Sequence, residues 1–232
     1  MSSSTKKIVF NYNKVCKEIR HFENFYKKKQ NSVNLIVVSK TFAEEKISPI
    51  IIKGHKDFGE NKVQEGSEKW KDIKKIYSDI KLHLIGPLQS NKVNLALKTF
   101  DCIHTIDRKK IAKKINDSIE NNFQANFKKF TFFIQINTGS EPQKSGVKLS
   151  EVDEFYKWCV NETNLKIIGL MCIPPINEPP KIHFSIIKEL ARKYDLPQLS
   201  MGMSNDYAEA IECGSTFLRL GSVIFGKRDK TI

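Results

Sequence analysis

Between Ile8 and Tyr26 the apolar positions Ile8, Tyr12, Val15, Ile19, Phe22 and Tyr26 recur at three- and four-residue steps, with Lys, Asn and Glu between them. That period predicts an amphipathic helix over about residues 8–29. The pattern then changes. Asn34-Leu35-Ile36-Val37-Val38 is an almost unbroken apolar run, and Leu35 to Ser39 reads as a strand buried on both faces. Further strand-like runs follow at Asp57-Phe58-Gly59, Lys81 to Ile85, Cys102 to Thr105, Thr131 to Ile136, Ile167 to Met171, Gln198 to Met201 and Phe217 to Leu220. Helical patterns lie between them, around 44–53, 61–77, 90–98, 108–121, 150–161, 181–193 and 205–213.

Eight strands thus alternate with eight helices. Parallel strands need helical crossovers, and eight such units can close on themselves. The predicted fold is α/β, a (β/α)8 TIM barrel with an extra N-terminal helix. An open doubly wound sheet is the competing architecture. A helix precedes the first strand and only about a dozen residues follow the last, so the N-terminal helix is expected to fill the outer-ring place after strand eight. No Pro/Gly/Ser linker, fixed-period repeat or low-complexity tract interrupts the chain, which predicts a single domain over residues 1–232 with the barrel at about 34–228.

Composition narrows the function classes. The chain has 232 residues, 40% of them hydrophobic and 28% charged, ample for a full core. No apolar run approaches the roughly 18 residues that span a membrane. Met1-Ser2-Ser3-Ser4-Thr5-Lys6-Lys7 is followed by no apolar core of a signal peptide, and the first arginine is Arg20. A cytoplasmic location is expected. The five cysteines, Cys16, Cys102, Cys159, Cys172 and Cys213, are widely spaced and form no C-x-x-C. They predict reduced, packed thiols, with neither a metal site nor a disulfide framework. The net charge of +13 raises the question of a nucleic-acid partner. Only five of the 39 basic residues are arginines, the lysines are spread along helices, and no nucleic-acid fold motif accompanies them, so solvated faces are the better reading.

Residues that do not look like core cluster just after strands: Lys40; Gly59-Glu60-Asn61; Gly86 to Asn91; Asp107-Arg108; Asn137-Thr138-Gly139; Ser200 to Asp206; and Arg219 to Ser222. In a (β/α)8 barrel these positions share the rim that carries active sites. The last two segments have the composition of a phosphate cradle. Ser204 is expected to cap the helix that holds Ala208 and Ile211, while Gly202 and Gly221 let the backbone come close. Capping and turn chemistry is the plainer alternative for either segment alone.

Lys40 follows an apolar strand with no polar break, which predicts that its side chain starts inside the barrel. A lysine snorkelling to water is the alternative. Desolvation lowers the pKa of an amine, and the neutral amine can attack an aldehyde to form a Schiff base. Aldehyde and phosphate on one small molecule describe pyridoxal 5′-phosphate.

At Val38-Ser39-Lys40-Thr41, Phe58 to Glu65, His83 to Lys92, Gln135-Ile136-Asn137, Lys144 to Val147, Gly169-Leu170-Met171, Leu199 to Ser204 and Arg219 to Gly226 the chain resembles the pyridoxal phosphate homeostasis protein family, relatives of the barrel domain of alanine racemase. These blocks run in family order over about residues 34–228. The resemblance implies a monomeric barrel holding pyridoxal phosphate as a Schiff base on Lys40. It implies that Arg219 faces the pyridine nitrogen, that Ser200, Ser204, Gly221 and Ser222 surround the phosphate, and that Asn61 and His83 lie near the ring. The family often has Thr where this chain has Ser222, which keeps the hydroxyl. The segment between Pro174 and Ser200 is shorter than is usual in the family. A role in vitamin B6 homeostasis, with PLP-dependent apo-enzymes as partners, is also implied.

Arginine is always protonated and can only donate, so Arg219 favours an unprotonated pyridine nitrogen and a weak electron sink. A racemase also needs an acid–base group on the opposite cofactor face. The eight residues from Phe225 onward are too few to build a second domain, and the six tyrosines lie in helical stretches. Cys172 is the nearest alternative base. The expectation is therefore a binding and delivery protein. A weak racemase or transaminase is the alternative, and a basic interaction protein the third class. Lys144, in the loop from Gly139 to Gly146, is either an anion contact or a mobile surface lysine, and the second is the preferred reading.

Overall fold

The computed structural model describes residues 3–123, 129–139, 141 and 143–226. The expected barrel end at residue 228 and two residues of the 139–146 loop, 140 and 142, lie outside the described residues. Eight parallel strands close into a barrel: β1 (Asn34–Val38), β2 (Asp57–Glu60), β3 (Lys81–Leu84), β4 (Cys102–Ile106), β5 (Thr131–Asn137), β6 (Ile167–Cys172), β7 (Gln198–Ser200) and β8 (Phe217–Leu220). Each pairs with the next, and β8 pairs back onto β1 through Asn34↔Phe217 to Val37↔Leu220. A two-residue strand, Val147–Lys148, adds to the end of β5. The sheet is thus closed, not doubly wound.

Helices alternate with the strands: α1 (Ser3–Phe25), α2 (Glu44–Ile52), α3 (Val63–Ile76), α4 (Val93–Thr99), α5 (Lys109–Asn122), α6 (Val152–Glu162), α7 (Pro180–Lys193), α8 (Tyr207–Glu212) and the single turn α9 (Ser222–Phe225). Helix α1 packs against α2, α8 and α9, in the place that α9 is too short to fill. It begins before and ends earlier than its apolar period predicts. The buried Glu23 carboxylate accepts the N–H groups of Asn31 at 3.1 Å and Val33 at 2.8 Å, pulling the chain out of helix into the turn that enters β1. Lys27 and Asn31 take left-handed φ values of 52° and 59° to make that turn.

Side chains alternate across each strand. The outward set, with Val37, Phe58, Leu82 and Leu218, joins Trp70, Phe100 and Phe184 in the core between barrel and helices. A much smaller inner cluster, Cys102, Phe133 and Met171, is flanked by Ile173 and Phe217. Gly59 belongs to the inner face, where a Cβ would lie 2.8 Å from Ile36 Cγ2 and 3.2 Å from Ile85 Cδ1. This cluster fills only part of the barrel interior. Polar groups occupy what remains.

Candidate functional site

A cavity of ≈ 800 Å³ opens at the C-terminal ends of the strands. Lys40, Asn61, Ser204, Arg219, Gly221 and Ser222 all line it. A second cavity of ≈ 340 Å³, beside Lys74, Asp101 and Phe130, lies at the opposite end of the barrel and holds none of the expected residues.

Lys40 continues the inward parity of Ile36 and Val38 and is half-buried. The chain turns sharply beyond it, with Thr41 at φ 67°. A non-glycine residue holds that conformation only when its surroundings impose it. Here they do. Glu65 Oε1 accepts the Thr41 N–H, and Lys69 Nζ contacts Glu65 Oε1 at 3.0 Å, Glu60 Oε1 at 3.0 Å and Ser39 O at 2.9 Å. Glu60 Oε1 also accepts from Ser39 Oγ at 2.7 Å and Trp70 Nε1 at 3.0 Å. Burial pushes the Glu60 carboxyl above its ordinary range despite these partners. Two carboxylates and one ammonium under the strand end therefore fix the backbone from which Lys40 projects.

Arg219 faces the cavity from β8 and is 4% exposed. Its Nη1 donates to Ser200 Oγ and its Nη2 to Cys172 O, each at 2.8 Å. Burial lowers its pKa, yet arginine keeps its charge. Asp206, also on the cavity, is pushed up by burial, against the pull of the Arg219 charge.

Ser200 and His83 do not line the cavity, although they were expected beside the phosphate and the ring. They sit one layer deeper. Ser200 Oγ is engaged by Arg219 and by His104 Nδ1 at 2.8 Å. His83 reaches His104 Nε2 from its Nδ1 and Asp57 Oδ1 from its Nε2, both at 3.0 Å. Ser204 is a second correction. Helix α8 starts at Tyr207, with Asp206 at the N-cap. Asp206 Oδ1 accepts the Met203 N–H, so the 203–206 turn is closed by the aspartate and Ser204 is released from it. Ser204 Oγ instead accepts the Val223 N–H at 3.4 Å, tying the loop after β7 to the loop after β8. Gly202, at φ 97°, brings that loop down onto the barrel: a Cβ there would lie 2.6 Å from Ala210 Cβ. Lys144 is the third correction. It lines the cavity, ion-paired to Glu141 at 2.6 Å, while Asn137 Nδ2 donates to Glu141 O at 2.7 Å and holds the loop.

Among the described residues no tyrosine lines the cavity. Cys172 is fully buried, its thiol pushed up to about 12 by burial. Residues that sequence reasoning missed are Asp57, Glu65, Lys69 and His104. The available signal was parity, since His104 shares the inward face of Cys102 on β4. His83, Cys102 and His104 place their ligand atoms within 4.8 Å of one another, a grouping invisible in spacing because it joins two strands.

The arrangement offers two amines, Lys40 and the ion-paired Lys144, one donor-only guanidinium and loop hydroxyls around a single cavity. Similar proteins share its frame. The family described as alanine racemase, N-terminal domain, matches over residues 17–229. A Vibrio alginolyticus protein called pyridoxal phosphate homeostasis protein is 39% identical over 94% of this chain and 97% of its own length. An unknown protein from Bifidobacterium adolescentis superposes with a TM-score of 0.87 at 25% identity, covering 97% of each chain. PipY of Synechococcus elongatus PCC7942, solved with PLP bound, superposes with a TM-score of 0.76 at 28% identity, covering 90% of this chain and all (100%) of that one.

Proposed function

The chain belongs to the pyridoxal phosphate homeostasis proteins of the alanine racemase N-terminal domain family, and from that premise we propose that it binds pyridoxal 5′-phosphate as a Schiff base on Lys40. The observation that carries the reading is that Lys40, the Arg219 guanidinium and the Ser204 and Ser222 hydroxyls line one cavity. The donor set fits the ligand. An amine suits an aldehyde, a guanidinium suits an unprotonated pyridine nitrogen, and the glycine-bearing loops after β7 and β8 suit a phosphate. When bound, the cofactor would supply an electrophilic aldehyde carbon, and Lys40 would be the amine that holds it.

This chain's own residues do the rest. Glu65 and Lys69 hold the turn that aims Lys40. Arg219 donates toward the ring nitrogen with the N–H groups not committed to Ser200 and Cys172. Ser204, Gly221 and Ser222 hold the phosphate, and Asn61 lies beside the ring. The role is to keep a reactive aldehyde bound and to release it to apo-enzymes, in the cytoplasm, as a single-domain monomer. No described helix is long and apolar enough to cross a membrane. A racemase would need an opposite-face base, and the described tyrosines all lie off the cavity.

Absorbance of purified protein supplied with pyridoxal phosphate tests the reading. A yellow band that moves on borohydride reduction, with the label mapped to Lys40 and lost in Lys40→Ala, is expected. A label on another lysine would overturn the site. Amino-acid turnover well above that of free cofactor would overturn the carrier role.

A further inference from the structure

The barrel interior contains a row of polar contacts that the cavity alone does not explain. It runs from Arg219 Nη1 to Ser200 Oγ, from Ser200 Oγ to His104 Nδ1, from His104 Nε2 to His83 Nδ1, and from His83 Nε2 to Asp57 Oδ1. The four distances are 2.8, 2.8, 3.0 and 3.0 Å. Five side chains from five different strands are therefore joined end to end. Asp57 opens β2, so the row begins beneath the cavity and finishes near the other end of the barrel.

The direction of every proton follows from donor inventory. Arginine can only donate, so Ser200 Oγ accepts from Arg219. The serine has one hydroxyl proton, and its other partner is His104 Nδ1, which must take it. His104 Nδ1 is then an acceptor, so the ring's own proton sits on Nε2 and points at His83 Nδ1. His83 in turn carries its proton on Nε2 and donates to Asp57. The surroundings agree at both ends. Burial holds the His104 pKa well below its ordinary value, with the nearby Arg219 charge adding to the effect. Burial is the largest single influence on the Asp57 carboxyl and raises it, but the His83 hydrogen bond and the neighbouring basic groups together keep it below its usual range, as an acceptor. The reverse proton order would bury an extra cation and leave the Ser200 proton without an acceptor in the row.

We propose that Asp57, His83, His104 and Ser200 form a one-way hydrogen-bonded chain that fixes the rotation of the Arg219 guanidinium, making His83 and His104 positioning residues for the ligand-facing arginine. The guanidinium is planar, and two anchored nitrogens set its plane. Cys172 O holds Nη2 and is part of the backbone of β6. Ser200 Oγ holds Nη1 and is a rotor. A hydroxyl that accepts from arginine stays put only while its own proton has a fixed destination, and His104 Nδ1 is that destination. His104 is itself immobilised, stacked on Phe133 with ring centroids 4.3 Å apart and planes 12° apart. His83 and Asp57 then select which His104 nitrogen is bare. A fully ordered buried chain of this kind specifies one geometry.

The proposal rests on Arg219 donating to the pyridine nitrogen of bound pyridoxal phosphate, but its core is testable without ligand. Long-range 1H–15N spectra of the full-length, histidine-labelled protein should show His83 and His104 neutral, both protonated on Nε2, in ligand-free protein. Protonation of His104 on Nδ1 would overturn the chain. So would zinc or copper bound at His83 Nδ1, His104 Nε2 and Cys102, because those two nitrogens would then face a metal. The second arm is His104→Phe, which keeps the stack on Phe133 and removes both hydrogen bonds. Loss of one charged hydrogen bond's orientation should weaken pyridoxal phosphate binding by about tenfold or more and move the absorbance band of the bound cofactor. Unchanged affinity and an unchanged band in folded variant would overturn the positioning role. Should His104→Phe not fold, the spectra of the unmodified protein still decide. Should the unmodified protein bind no cofactor at Lys40, the binding reading fails while the tautomers still report on the chain.

Discussion

Replacing Lys69 with Met keeps the aliphatic stem and deletes the cation that sits between Glu60 and Glu65. The Lys69 side chain is 12% exposed and that of Glu60 fully buried, so screening by solvent is slight. Breaking one partner out of a buried ion pair costs about 3–5 kcal/mol. The effect must depend on pH. The Glu60 carboxyl already titrates above its ordinary value, because burial outweighs Lys69, Trp70 and Ser39. A carboxyl raised in this way penalises folding increasingly as pH climbs from its unfolded pKa through its folded one. Without Lys69 the folded pKa rises further and the penalty grows. Glu65 behaves oppositely. Burial pushes it up, but the Thr41 N–H and Lys69 together hold it below its usual range, so its stabilisation is present above the ordinary carboxylate range and is lost only as pH falls through the folded value. Glu65 therefore contributes similarly at pH 5 and pH 8, and the difference between those conditions reports Glu60. Urea unfolding should show Lys69→Met destabilised by about 3 kcal/mol at pH 8 and by less at pH 5, nearer the range in which the raised Glu60 carboxyl takes up its proton and needs no cation. An equal loss at both values would refute the account of the turn beneath Lys40.

Two further outcomes follow from packing and from the loops. Gly59→Ala places a Cβ against Ile36 and Ile85 inside the barrel; overpacking there should cost about 1–3 kcal/mol, read as a lowered thermal midpoint. Ser204→Ala removes both a cavity hydroxyl and the acceptor for Val223 N–H, and should weaken pyridoxal phosphate binding by roughly tenfold in a fluorescence titration, with less effect on free pyridoxal, which lacks the phosphate.

The alternation of eight apolar runs with helical periods was enough to read the barrel, because each strand is buried on its outer face by its own neighbouring helices. Lys40 was legible for the same reason: parity from Ile36 and Val38 aims it inward, and parity is a local property. Asn61, Arg219, Gly221 and Ser222 follow from standing at strand ends. What stayed hidden depends on contacts between distant strands. Ser200 has the same local context as a rim residue, yet its hydroxyl is taken by Arg219 and His104 on two other strands. Ser204 looked like a cap because nothing nearby in sequence announces that Asp206 closes the turn first. Lys144 looked mobile because its partner, Glu141, is held by Asn137 only once β5 is formed.

The seam between β1 and β8 has a consequence for how the protein is made. Asn34 and Thr216 are joined across 182 residues of chain, and Lys28 and Glu212 across 184. Asn11 bonds Ile224 across 213 residues, and Tyr207 reaches Glu18 across 189. Contacts so remote in sequence form late. Lys40 stands on one side of that seam and Arg219, Gly221 and Ser222 on the other, so a nascent chain still emerging from the ribosome has the lysine but not the half-site that complements it. On the proposed function, the complete pyridoxal phosphate site is assembled only when the last barrel strand pairs with the first.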